Sequence, residues 1–466
     1  MSLEPFHLTH SGIERILAEA MAKGGDFADV YCEYGPSSSL VLEESILKSA
    51  GHSLVGGVGV RVVKGEKTGY AYTERFEMDQ FLQAARAAAA IAASGGSESS
   101  YAVQPIETPS YYPVTESQIG LEEQIQWLYE ADRYARSLNP HVTKVIASFA
   151  ESRRDIVIAD TRGQLAFDLQ PMVRLNIAVV VEKDGRVEDA QAGDGGRFNA
   201  DVFNLEKVRT LCKQAVDEAC CLLEARPAPA GMLPVILAPG DSGILLHEAI
   251  GHPLEADFNR RKTSAYAGRM GEMVASVQCT IVDDGTIPQD RGSINFDDEL
   301  NRSQKTTLIE NGRLVSYMYD EMSARYFGVE SSGNGRRESY QYQPLPRMRS
   351  TYMLNGTHDP GEILASTEKG IYCRTFKGGQ VDISNGNFVF VPSEAWLIEK
   401  GKRIHPIKNL TLIGNGPDVL SKVCMVGNDF KMSPGIWTCG KGQTVPVGVG
   451  LPTVKIEEMT VGGQGG

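Results

Sequence analysis

Residues Ala225 to Pro234 read ARPAPAGMLP, with three prolines in ten positions. Proline fixes φ and carries no backbone N–H, so neither a helix interior nor a central strand runs through such a stretch. The chain of 466 residues, too long for one ordinary core, is therefore expected to divide into regions 1–226 and 227–466. The two sides carry different patterns. Before the break, Ile13, Ile16, Leu17 and Ala20 recur at helical spacing. Ser11-Gly-Ile-Glu14 reads as their capping box and Gly24-Gly25 as the stop. FADVYCEY, SSLVLEESILKS, VGVRVV and GYAYT alternate like short antiparallel strands. Further helices are expected from about Phe76 to Ala93, Leu121 to Leu138 and Asn204 to Glu224, with three or four strands between Val142 and Val187. The first region is thus α+β, helices packed on antiparallel sheet, with a candidate sub-boundary in the Pro-rich linker near 104–117.

After the break, β-branched and aromatic runs dominate and glycine punctuates them, as in GIYCRTFKGGQVDIS and GNFVFVPSEAWLIEKG. Asn311-Gly312 and Asn385-Gly386 mark hairpin turns, and Lys400 to Lys408 reads as a solvated hairpin tip. The second region should be a mostly antiparallel β sandwich or distorted barrel, carrying few helices. GGVGV and GVGLP lack the nucleotide-loop spacings and read as bulged strands and turns, and the terminal VGGQGG as a tail.

Composition narrows the function. A net charge of -13 argues against general nucleic-acid binding. No uncharged apolar run reaches the roughly 18 residues of a membrane span, and the N-terminus lacks a secretory pattern, so a cytoplasmic protein is expected. The eight cysteines are scattered without CxxC spacing and should be reduced.

One helix carries chemistry: PGDSGILLHEAIGHPLEADFNRR, with Asp241 or Ser242 as its expected N-cap. His247, Glu248 and His252 form H-E-x-x-x-H, one residue longer than the H-E-x-x-H of zinc proteases. At about 100° per residue, four positions leave two side chains roughly 40° apart, whereas five leave them roughly 140° apart. A regular helix cannot aim both rings at one ion. Gly251 before His252 and Pro253 after it point to a helix that ends or bulges there, swinging His252 back beside His247. A third ligand is needed with an open position for water. Glu255, Asp257 and Cys439 are available, and Lys441 beside Cys439 would favour a thiolate. Spacing does not choose between Cys439 and Glu255. Arg347 and Arg349, or Arg260 and Arg261, would either meet substrate carboxylates or form structural ion pairs.

HEAIGHPLEADFNRRKTS, PRMRSTYMLNG, GGQVDISNGNFVF and the terminal TCGKGQTVPVGVGLPTVKIEEMTVGG resemble the TldD side of the TldD/PmbA family of metallopeptidases, also labelled modulators of DNA gyrase. The resemblance covers nearly the whole chain. It implies that His247, His252 and Cys439 hold the metal, zinc or another divalent ion, and that Glu248 is catalytic. It also implies flexible or unfolded polypeptides as substrates and a partner, either a PmbA-like subunit or a second copy. The mechanism expected from these parts is hydrolysis by a zinc-bound water that Glu248 deprotonates. An exposed edge strand of the β-rich region would receive an extended substrate. The rival readings are another metal-dependent amide hydrolase and a non-catalytic metal-containing binding or regulatory protein.

Overall fold

The computed structural model describes residues 2–93, 100–115 and 117–463. Gln464 to Gly466 of the expected tail, and Glu116 of the linker, lie outside the described residues. The N-terminal region is built on a seven-stranded sheet. Its main path runs Lys67–Thr73, Ile46–Lys64, Phe27–Glu43, Val142–Asp160, Gln164–Lys183 and the short Gln104–Pro105, with Arg186–Gly196 also paired to Gln164–Lys183. The sheet crosses the linker, because Phe27–Glu43 pairs with Val142–Asp160.

Helices His10–Met21 and Met78–Ala92 pack on one end of the sheet, burying Ile13, Ile16 and Leu17 with Val30, Val58 and Val60. Helices Leu121–Leu138 and Leu205–Leu223 pack on the other end, around Trp127, Phe149 and Phe203. The opposite face of the sheet meets the C-terminal region. There Tyr31, Ile156 and Ile158 pack against Phe296, Leu300 and Tyr340.

Two local expectations are corrected. The N-cap of the first helix is Thr9, whose hydroxyl accepts from Gly12 N at 3.1 Å, while Ser11 is already helical. Thr9 has the extended backbone that a cap requires. Second, SSLVLEESILKS is not one strand but the end of one, a turn and the start of the next. Glu44 and Ser45 take φ of 51° and 63° and turn a hairpin of 17 and 19 residues. Such a turn ordinarily shows as Asn-Gly or Asp-Gly, and Glu-Ser gives no such signal.

In the C-terminal region five strands close into a barrel. Lys369–Asp382 pairs in parallel with Gly231–Leu237, which pairs with Val454–Gly462. Thr411–Asn415 follows, then Asn387–Glu399, which pairs back with Lys369–Asp382. The expected barrel alternative is the one found. A second, six-stranded sheet includes Ile281–Asp284, Ser350–Met353 and Gly448–Leu451. Both hairpin turns are present, with Gly312 and Gly386 at φ of 83° and 79°. The helical segment after Gly240 shares one core with the barrel strands, through Leu245, Ala249, Ile250, Phe388 and Phe390. Among the described residues no helix is long and apolar enough to cross a membrane.

Candidate metal centre

The segment that carries both histidines is not one regular helix. A 3-10 turn at Asp241–Gly243 leads into a short α stretch, Ile244–Leu246. His247–Gly251 is then π-helical, and His252–Leu254 is a second 3-10 turn. His252 N–H bonds back to His247 O, five residues earlier. A π turn returns to the same face after five residues rather than four, so the extra residue of H-E-x-x-x-H is absorbed. The two rings lie 4.9 Å apart and nearly perpendicular, at 84°.

The bulge forms differently from the expectation. The helix does not end at Gly251, and His252 stays right-handed at φ -56°, ψ -46° despite Pro253. Gly251, at φ -56°, ψ -66°, needs no special backbone either. It needs space: a Cβ there would lie 1.9 Å from Met348 Sδ. Pro253 acts through its missing N–H. Ala249 O, four residues back, accepts from the Tyr266 hydroxyl at 3.2 Å. Asp241 and Ser242 do not cap the helix. Gly240 occupies that position, and Asp241 accepts from Trp437 Nε1 at 2.8 Å.

Cys439 arrives on a separate hairpin, Thr438–Gly440 paired with Thr444–Pro446. Fully buried Arg347 clamps it by donating to Cys439 O and Gln443 O, both at 2.9 Å. One ligand atom each from His247, His252 and Cys439 lie within 4.8 Å of one another, and all three residues are buried. Cys439 Sγ is 3.5 Å from His252 Nε2. A tetrahedral zinc site with N and S donors has ligand–ligand edges of about 3.3–3.8 Å, and the distance between Cys439 Sγ and His252 Nε2 falls in that range. His247 Nδ1 is buried without a hydrogen-bond partner among the described residues. Burial pushes the Cys439 thiol up, yet the two imidazoles hold it well below its ordinary value. Lys441 is not the cause. Its ammonium turns to Asp257 at 2.6 Å and Glu255 at 3.2 Å.

Glu255 stands behind the group rather than in it. Its Oε2 is 3.2 Å from His252 Nδ1, leaving Nε2 facing Cys439. Against the cost of burial, Lys441 and His252 hold its carboxyl down at about 2. A carboxylate behind a histidine fixes the ring's orientation and tautomer. Spacing held a signal for this, since an acid three residues after His252 sits one turn on. The Arg347 clamp left no such signal. Arg347 and Arg349 are both fully buried, and Arg349 donates to Asp283 at 2.9 Å, so both are structural. Arg260 faces Glu66 at 3.8 Å.

Glu248 follows His247 and lines a cavity of about 450 Å³ together with both histidines and Cys439. Burial raises its carboxyl above the ordinary value, more than the two imidazoles lower it. Gly378 to Val381 form another wall. One edge of that stretch pairs with Phe388 to Val391, and among the described residues no strand pairs with the other.

Sequence profiles of the "PmbA/TldA metallopeptidase" domain 1, central domain and C-terminal domain match residues 28–92, 115–223 and 230–463. The chain belongs to the PmbA/TldD metallopeptidase family. Within it, the chain is 45% identical to a protein of Haemophilus influenzae named "Metalloprotease TldD homolog", over 99% of this chain and 98% of that one. It is 28% identical to a "Zinc metalloprotease TldD homolog" of Saccharolobus solfataricus, over 96% and 99%. The fold is shared with the crystal structure of a "putative modulator of a DNA gyrase" from Thermotoga maritima, at TM-score 0.80 and 21% identity over 99% and 100% of the chains. It is also shared with TldE from Thermococcus kodakarensis, at TM-score 0.76 and 19% identity over 97% and 99%.

Proposed function

We propose that this protein is a zinc-dependent peptidase acting on flexible or unfolded polypeptides, with His247, His252 and Cys439 as ligands and Glu248 as general base. The observation that carries the reading is the convergence of two imidazoles and a thiolate beside a carboxylate, in a cavity with an unpaired strand edge. An ion held there supplies Lewis acidity toward a carbonyl oxygen and makes a water more acidic. The chain's own groups do the rest. Glu248 accepts the proton of the attacking water and delivers it to the departing amine nitrogen. Its raised carboxyl suits a group that must both take and return a proton. Glu255 keeps His252 Nδ1 occupied, so that Nε2 is the donor. The main chain of Gly378 to Val381 receives an extended peptide edge to edge, with little dependence on its side chains.

The same proposal includes a cytoplasmic protein divided at residues 226 and 227, with a further boundary near 104–117. It works with a PmbA-like subunit or a second copy of itself. Replacing Glu248 by Gln tests the core of the reading. Metal content should remain while peptide hydrolysis falls by about 10²–10⁴. Undiminished hydrolysis by Glu248→Gln would remove the base from the mechanism.

A further inference from the structure

Two arginines have no part in this chemistry. They stand at one end of a trough of about 550 Å³ on the N-terminal sheet. Ser37 pairs with Ser53 and Ser152, and Ser152 with Met172. Two residues along, Ser39 pairs with Gly51 and Ala150, and Ala150 with Arg174. Alternate residues share a face, so both rows point the same way. The 2.7 Å contact between Ser37 Oγ and Ser53 Oγ agrees. The row between them points to the helices. Glu151 accepts there from Gln124 at 3.2 Å, and Val173 joins the helix core. The face that forms the trough is thus hydroxyl-rich, and Glu151, the one acid lining it, turns its carboxylate away.

Arg291, 9% exposed, enters this face by donating to Met172 Sδ at 3.1 Å. Its other hydrogen bonds go to Trp437 O at 2.9 Å and Thr438 Oγ1 at 3.4 Å. All three acceptors are neutral. Neighbouring Asp290 is taken up by the Ser350 hydroxyl and by Gly292 N–H at 3.0 Å. Arg174 Nε is buried with no hydrogen-bond partner among the described residues. Burial, together with the positive charges of Arg174 and Arg197, pushes Arg291 down to about 10 against the opposing pull of Asp290. Two guanidiniums that repel one another, and that form no ion pair with a carboxylate among the described residues, are an arrangement an incoming anion would relieve. The trough also adjoins the candidate metal centre. Trp437 and Thr438, which accept from Arg291, line the cavity that holds Cys439.

We propose that this trough is a carboxylate-binding subsite for the polypeptide substrate, with Arg174 and Arg291 as its readers. It rests on the peptidase reading and supplies a substrate preference to a site that otherwise recognises main chain. A guanidinium pair matches a carboxylate in charge and in fork geometry. The carboxylate would be either a chain terminus or an acidic side chain.

Fluorescence anisotropy tests this on zinc-loaded Glu248→Gln protein, which binds without turnover. One labelled peptide is used in three forms: neutral with a free C-terminus, amidated with one Glu, and amidated with Gln in its place. One of the first two should bind about tenfold tighter than the third, and which one identifies the source. Adding Arg174→Gln should abolish the preference, and Arg174→Lys should restore most of it. Arg174→Gln removes an unpaired, partly buried charge, so its thermal midpoint should not fall. Equal binding of all three peptides, or a preference that survives Arg174→Gln, overturns the subsite. Hydrolysis is scored separately on unmutated protein. Carboxylate-dependent binding without any cleavage would leave the subsite standing and remove the peptidase reading. Cleavage with no carboxylate preference would do the reverse.

Discussion

Replacing Gly251 by Ala sets two effects of opposite sign against each other. In a helix interior Ala is favoured over Gly by about 1 kcal/mol, so propensity alone predicts stabilisation. Packing predicts the reverse. The new Cβ would lie 1.9 Å from Met348 Sδ, and ordinary contact begins at about 3.5 Å, so about 1.6 Å of movement is required. Met348 is fully buried and its carbonyl accepts from Arg336, which leaves the side chain little room to retreat. Overpacking of this kind costs about 1–3 kcal/mol, which exceeds or cancels the propensity gain. Either Met348 or the π turn must shift, and the turn carries His252. Gly251→Ala should therefore lose up to about 2 kcal/mol of stability and bind zinc more weakly. Urea unfolding of the zinc-free protein and zinc competition titration read the two effects separately. A double-mutant cycle locates the cause. Met348→Ala opens a cavity costing about 2–5 kcal/mol, and the methyl that Gly251→Ala adds occupies part of it. The double variant should be less destabilised than the sum of the singles by about 0.5–3 kcal/mol. A Gly251→Ala protein more stable than the original, with undiminished zinc affinity, would refute the packing account.

Two other substitutions probe the groups around the site. Glu255→Gln leaves the His252 ring without a carboxylate behind it, so zinc affinity should drop about 10–100-fold in competition titration. Cys439→Ser replaces a soft donor by a weak one and should lose bound zinc in metal analysis. Thiol oxidants should inactivate the original protein as chelators do, because Cys439 is the cysteine held toward its thiolate.

The sequence announced the site more completely than the scaffold that holds it. H-E-x-x-x-H at a Gly-His-Pro junction demanded a local distortion, and the π turn at His247–Gly251 is such a distortion. Its cause was not legible, because Gly251 answers to Met348, nearly a hundred positions away. Helix Leu121–Leu138 and the Asn-Gly hairpins were readable, since each rests on local periodicity or turn chemistry. Closure of the barrel was not. It depends on the parallel pairing of Val235–Leu237 with Ile371–Cys373, and no local signal specifies a partner so distant. The Glu44–Ser45 turn was hidden for a different reason: neither residue favours positive φ, and the long strands on either side impose it.

Zinc-edge X-ray absorption on the loaded protein addresses the assembled centre most directly. One sulfur at about 2.3 Å should appear beside nitrogen or oxygen neighbours at about 2.0–2.1 Å, and the sulfur should vanish in Cys439→Ser. A shell of nitrogen and oxygen alone in the original protein would contradict the convergence of Cys439 with His247 and His252 on one ion.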